Sequence, residues 1–144
     1  MTDQTDPVSR GEWILRRVPY IEINGWIDPQ KHPPISNTAF KPTNDDHDGL
    51  SLFRELFITP QQIADRHREL KQKECYVIRI KASILLDIGI TLSPNPIDDL
   101  PGHALIPELN TERYKSSDKA LCLEIQTKIS EPLTTDNIAH WPVI

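Results

Sequence analysis

The 144-residue sequence predicts an α+β fold: a small mixed or antiparallel sheet, two main helices packed against it, and long proline-rich loops. Tyr76, Ile78 and Ile80 recur at every second position, which is typical of a strand with one buried face, and we expect this strand to be central in the sheet. Thr59 and Pro60 suit the N-cap and the first position of a helix. The 13 prolines interrupt the segments between such elements.

The N-terminal residues 1–11 are polar and lack a periodic apolar pattern, so they predict a flexible tail. Residues 12–144 predict a single compact domain. Residues 13–18 predict the first strand. A hairpin is expected over residues 20–27, because Asn24 and Gly25 favour the positive φ angles of a type I′ turn.

Four prolines break residues 28–44 into a long loop, in which Ala39 and Phe40 are expected to anchor the chain to the core. The apolar run 50–58 fits either a strand or a helix, and we favour a strand for its first half. The capped helix should extend from Thr59 to about residue 73. Its expected buried side chains are those of Ile63, Ala64, His67 and Leu70.

The segment after the alternating strand has three consecutive apolar residues within 82–87, which predicts one helical turn ended by Gly89. Residues 89–92 then predict a short strand. The proline-rich residues 93–102 predict a surface loop that leads into His103.

The last third of the chain predicts one more helix, over residues 117–129, with Leu121, Ile125 and Ile129 on its buried side. The apolar residues 138–144 predict a C-terminus attached to a sheet edge.

Composition limits the possible functions. The net charge of −5 argues against a nucleic-acid-binding protein, although a small basic patch is compatible with it. Cys75 and Cys122 are expected to be reduced, buried thiols, which favours a cytoplasmic location. No segment has the length and apolarity of a membrane span, so we expect no membrane partner.

Residues 44–55 resemble the calcium loop of EF-hand proteins, with Asn44, Asp46 and Asp48 at positions one, three and five, Gly49 at six and Glu55 at twelve. The proline-broken segment before them cannot supply the entering helix. We therefore predict a solvated acidic turn and no metal site. The sequence predicts no cofactor either.

Four residues form the candidate site. Arg16 and Arg17 lie at the end of the first strand, where a guanidinium could hold a phosphate or carboxylate, or simply form an edge ion pair. Ser51 lies in the second strand and is a further ligand-binding candidate. His103 follows the proline-rich loop and is the catalytic candidate, as an acid or base.

This order, an arginine ending an early strand, a serine in the second strand and a later polar residue, is similar to that of small NAD-consuming ADP-ribosyltransferase-type domains. The glutamate motif that the resemblance implies is missing. Whether the chain is an enzyme stays open. The sequence favours a non-catalytic accessory or protein-interaction module whose partner is another protein, with a small transferase or hydrolase of a nucleotide-type substrate as the alternative.

Overall fold

A computed structural model of the protein describes residues 2–23 and 25–144. It contains a six-stranded antiparallel sheet and four α-helices, which confirms the α+β class. The strands are β1 (Trp13–Pro19), β2 (Leu50–Arg54), β3 (Cys75–Lys81), β4 (Ser93–Pro94), β5 (His103–Ile106) and β6 (Ile138–His140). The helices are α1 (Pro60–Lys71), α2 (Ala82–Asp87), α3 (Thr111–Tyr114) and α4 (Lys119–Ser130).

The sheet has the strand order β4-β5-β2-β1-β3-β6. Strand β3 pairs with β1 along its whole length, from Trp13 opposite Lys81 to Pro19 opposite Cys75. The centre of the sheet is therefore formed by β1 and β2, and the expectation that β3 is central is corrected: it is an inner strand next to the edge. That edge is β6, which confirms that the C-terminal segment joins the sheet.

The sheet is buried on both faces. On one face Ile14, Ile78 and Ile80 pack against α4 and the Ala39–Phe40 anchor. On the other face Leu15, Val77 and their neighbours pack against α1. The prediction of one buried face of β3 is thus incomplete, because α1 covers the second. Cys75 and Cys122 are free, buried and in different core clusters, which prevents a disulfide between them.

Helix α1 begins as predicted. Thr59 accepts a hydrogen bond from the Gln62 amide, and the Gln62 side chain accepts one from the Thr59 amide, which completes a capping box. The helix ends at Lys71, where Gln72 adopts a left-handed φ of 55°. Leu70 is 53% exposed, so its predicted burial is wrong. Ile63, Ala64 and His67 are buried as predicted.

In α4 one of the three predicted buried residues is also exposed. Ile125 and Ile129 are buried as predicted, but Leu121 is 45% exposed and Cys122 takes its place in the core. The helix begins two residues later than expected, at Lys119, so Leu121 lies in its first turn beside solvent.

Two predicted strands are absent from the described residues. Residues 20–23 pair with no strand, and Ile27 instead bridges Ile35 inside the loop; the turn residue Asn24 lies outside the described part of the chain. Residues 89–92 are also not a strand, because the sheet pairing starts one residue later, at Ser93. Strand β4 lies at the edge of the sheet, where Pro94 needs no backbone donor.

The EF-hand-like segment does not form a loop of twelve residues. Strand β2 begins at Leu50, in its middle, and Glu55 pairs with Arg79 at 2.9 Å. Asp46 is buried and accepts hydrogen bonds from the amide and hydroxyl of Thr43. In residues 2–23 and 25–144 no group of three or more acidic, histidine or cysteine side chains could hold a metal ion.

The N-terminal residues contact the domain through Arg54. Its guanidinium donates to the carbonyls of Gln4, Asp6 and Pro7, and the Gln4 side chain accepts from the Gly102 amide. The flexibility of residues 1–11 stays a prediction about their motion. None of the helices in the described ranges is both long and apolar enough to cross a bilayer.

Candidate functional site

The four residues singled out in the sequence line one cleft. Arg16, Arg17, Ser51 and His103 border a cavity of about 120 Å³. Its remaining lining residues are Phe53, Ile97, Asp99 and Leu100. The end of β1 and the start of β5 therefore meet at one cavity. That these residues bind a ligand or catalyse a reaction stays a prediction.

Strand register explains why Ser51 and His103 meet. Strands β2 and β5 are antiparallel neighbours, with Phe53 opposite His103 and Ser51 opposite Leu105. Because alternate residues of a strand share a face, Ser51, Phe53 and His103 project from the same side of the sheet. The Phe53 ring packs edge-on against the imidazole, with 5.4 Å between ring centroids, and limits where the imidazole can lie.

A chain of hydrogen bonds links Ser51 to Asn95 through His103. The Ser51 Oγ lies 2.8 Å from the His103 Nε2, and the His103 Nδ1 lies 2.9 Å from the Asn95 backbone oxygen and 3.1 Å from its side-chain oxygen. Both Asn95 atoms are acceptors, so Nδ1 carries the proton and Nε2 accepts from the serine hydroxyl. A hydroxyl, a base and a group that orients the base are thus in line.

The surroundings favour a neutral imidazole. Burial lowers the pKa of His103 below its usual value of 6.5, and the positive charge of Arg17 acts in the same direction. The hydrogen bond to Asn95 and the charge of Asp46 oppose this change without reversing it. At neutral pH His103 is therefore a base with its lone pair directed at Ser51.

Arg16 occupies a gap between the two central strands. The pairing of β1 with β2 covers Ile14 and Leu15 and does not continue to Arg16 and Arg17. In the gap the Arg16 Nε donates to the Ala39 carbonyl and Nη1 donates to the Ser51 carbonyl, both at 3.0 Å. Burial lowers the Arg16 pKa to about 10, so the group stays charged at neutral pH. Arg16 thereby holds the Ser51 backbone in place.

Arg17 is the cation of the cleft that remains available for a ligand. It alternates with Arg16 along β1 and so projects from the same face as Ser51. Within the described residues it makes no ion pair within 4.0 Å. By contrast Asp99, the one carboxylate of the cleft lining, pairs with Arg66. The fixed charge facing the cleft is therefore positive.

Sequence reasoning missed Asn95 and Asp46 as parts of this site. Asn95 lies between two prolines in what was predicted as a plain surface loop, and only its pairing beside β5 brings it to His103. Asp46 was considered as a calcium ligand, yet its charge acts on Arg16 and His103. The Asn95 contact depends on how the chain turns between β4 and β5, and the effects of Asp46 depend on contacts between segments far apart in sequence.

Comparisons of the chain with protein-family models, with curated proteins and with solved structures find no match.

Proposed function

We propose that the protein is a small hydrolase or transferase that acts on a phosphate-bearing substrate of nucleotide type, with Ser51 as nucleophile and His103 as general base. This is the alternative that the sequence left open. The observation that carries it is the 2.8 Å contact between the Ser51 hydroxyl and the unprotonated Nε2 of His103, held by Asn95.

The proposed reaction has two steps. The Ser51 Oγ attacks phosphorus and its proton passes to the His103 Nε2, while the bond from phosphorus to the leaving oxygen breaks and that oxygen takes the proton from His103. The resulting phosphoserine is then attacked by water, or by an acceptor hydroxyl in a transferase. His103 takes the proton of this second nucleophile, the bond from phosphorus to the Ser51 Oγ breaks, and His103 returns the proton to that oxygen.

Arg17 gives the site its preference for anions. A guanidinium can hold two non-bridging oxygens of a phosphate and stabilise the charge that develops on them. The cavity of about 120 Å³ suits one phosphate group rather than a whole nucleotide. The remainder of the substrate would lie outside the cleft.

A fluorophosphonate probe tests the nucleophile without knowledge of the substrate, because an activated serine attacks its phosphorus and displaces fluoride. Mass spectrometry should find the label on Ser51 of the wild-type protein. Ser51→Ala should abolish it, and His103→Gln should slow it by about 10²-fold or more. Ser117→Ala, which removes an exposed serine, is the matched control and should leave the rate unchanged.

Two results would contradict the proposal. One is no label on Ser51 after prolonged exposure of the folded protein. The other is equal labelling rates in the wild type and His103→Gln, which would mean that the imidazole does not activate the hydroxyl. Hydrolysis of bis(p-nitrophenyl) phosphate by the same variants provides a second measurement, in which Arg17→Gln should raise KM more than it lowers kcat.

Protein binding is a second candidate function, favoured by an apolar surface beside the C-terminus. Ile21, Val143 and Ile144 are 39%, 67% and 92% exposed, and they line one surface cleft together with Tyr20. Neighbouring exposed apolar side chains are typical of protein contact surfaces. Val143→Asp should then reduce recovery of a partner in affinity purification, while fluorophosphonate labelling of Ser51 stays unchanged.

A further inference from the structure

A second, larger cleft lies away from Ser51 and shares no lining residue with the first. Its volume is about 560 Å³, within the range of roughly 300–1,000 Å³ found for small-molecule sites. The segment 41–44 before β2 forms one wall, and α3 with the start of α4 forms the other. Trp26, from the segment between β1 and the 28–44 loop, also lines the cleft.

The lining carries three cations, Lys41, Lys115 and Lys119, and no carboxylate. This is unusual for a chain with a net charge of −5. None of the three is in an ion pair within the described part of the chain. Uncompensated ammonium groups around one concavity produce a positive potential that attracts anions.

Tyr114 holds two of these cations in position. The ammonium nitrogens of Lys41 and Lys119 lie 5.2 Å and 5.1 Å from the centre of its ring, close enough for cation–π attraction. Lys115 contacts the Asn44 side-chain oxygen at 3.4 Å. The charges are thus oriented by contacts with uncharged groups, which leaves them able to bind an anion.

The apolar part of the cleft is aromatic. Trp26 is half-buried and lines the cleft together with Pro42. An indole and ammonium groups in the lining of one cleft suit a ligand that combines a planar ring with phosphates, because the ring can stack on the indole while the phosphates pair with the lysines. An acidic peptide would use the lysines but would not need the indole.

We propose that this cleft binds a nucleotide, with its phosphates on Lys41 and Lys119 and its base against Trp26. The ligand is either a free nucleotide or a nucleotide unit of single-stranded nucleic acid, since both present the same chemistry. This site does not depend on the reaction proposed for Ser51.

Isothermal titration calorimetry on an Arg17→Gln background, which removes the available cation of the first cleft, tests the proposal. The titrants are ATP, inorganic triphosphate, adenosine and a single-stranded hexanucleotide. We expect saturable ATP binding that weakens when salt is raised from about 50 to 200 mM. Lys41→Gln with Lys119→Gln should weaken it by at least about tenfold, and Trp26→Ala by about tenfold.

Lys128→Gln is the matched control, because Lys128 lies on the same helix and pairs with Glu124 at 3.1 Å; it should not change ATP affinity. Trp26→Phe keeps an aromatic ring and should retain most of the binding. Tighter binding of the hexanucleotide than of ATP identifies nucleic acid as the source, and the reverse order identifies a free nucleotide.

The proposal is overturned if ATP at millimolar concentration gives no saturable heat. It is also overturned if the double lysine variant binds as tightly as its parent, or if triphosphate binds as tightly as ATP and Trp26→Ala has no effect. None of these results bears on fluorophosphonate labelling of Ser51, so the two proposals fail separately.

Discussion

Arg54 and Glu12 form a two-point ion pair inside the domain. The Arg54 Nε lies 2.8 Å from the Glu12 Oε1 and Nη2 lies 2.7 Å from Oε2, and their side chains are 0% and 3% exposed. Burial raises the Glu12 pKa, but the hydrogen bonds and charge of Arg54, together with the hydrogen bonds from Ser9, outweigh this, so the pKa is lower than usual. The pair joins β2 to the residue before β1.

Replacement of Arg54 should be severely destabilising. Arg54→Met leaves the Glu12 carboxylate buried without its partner and should lower the free energy of unfolding by about 3–5 kcal/mol. The double variant with Glu12→Leu should recover part of that loss. Urea denaturation measures both. Arg10→Met is the control, because the ion pair between Arg10 and Asp87 is mostly exposed. The urea midpoint of this variant should equal that of the wild type. Equal midpoints for Arg54→Met and Arg10→Met would contradict this reasoning.

Ile78 tests the placement of β3. Its side chain is 0% exposed and lies in the core cluster that faces α4. Ile78→Ala should therefore cost about 2–5 kcal/mol of stability, through lost burial and the cavity that remains. Ile84→Ala removes the same atoms from a side chain that is 40% exposed and should cost much less. A denaturant midpoint unchanged by Ile78→Ala would refute the placement.

The pKa of His103 can be measured by NMR titration of its ring protons. We expect a value below 6.5, because burial disfavours the imidazolium. Arg17→Gln removes a positive neighbour and should raise it, whereas Asp46→Asn removes a negative one and should lower it. Activity that depends on the free base should fall as the pH decreases through this pKa. A lower pKa in Arg17→Gln, or a higher pKa in Asp46→Asn, would show that the neighbouring charges are misassigned.

His67 should make the protein less stable in acid. It is buried as predicted, and neither ring nitrogen has a hydrogen-bond partner in the described residues. Burial lowers its pKa below 6.5, so the unfolded chain binds the proton more readily, and stability is lost as the pH falls from about 6.5 through the folded-state pKa.

His67→Leu should then raise the free energy of unfolding by roughly 1–3 kcal/mol and flatten its decline between about pH 7 and 5. Urea denaturation at several pH values measures this. His47→Gln, at an exposed position, should change neither quantity. A steeper acid decline in His67→Leu would show that the imidazole has a partner in solution.

Calcium should not stabilise the protein. Asp46 already accepts two hydrogen bonds from Thr43, and β2 begins within the segment that would surround the ion. Micromolar calcium should leave the melting temperature unchanged. A saturable increase that Asp46→Ala abolishes would mean that residues 44–55 do form a metal site.

The sequence correctly predicted those elements that a few neighbouring residues specify. The Thr59 capping box needs only four consecutive residues, and the period-two pattern of β3 reflects its own burial. The errors came where tertiary contacts outweighed such signals. The described residues 20–23 and 25–27, predicted as parts of a hairpin, do not pair with each other, and Ile27 pairs with Ile35 instead.

The sequence alone determined the α+β class, the residue types available for chemistry, and the choice of Arg16, Arg17, Ser51 and His103 as candidates. Only the tertiary structure decided that Arg16 is held by backbone carbonyls, that Arg17 faces the cleft, and that Asn95 orients His103. These roles depend on which strands are neighbours and in which register. Pairing between β2 and β5 joins residues about 50 positions apart, and no local propensity specifies such a contact.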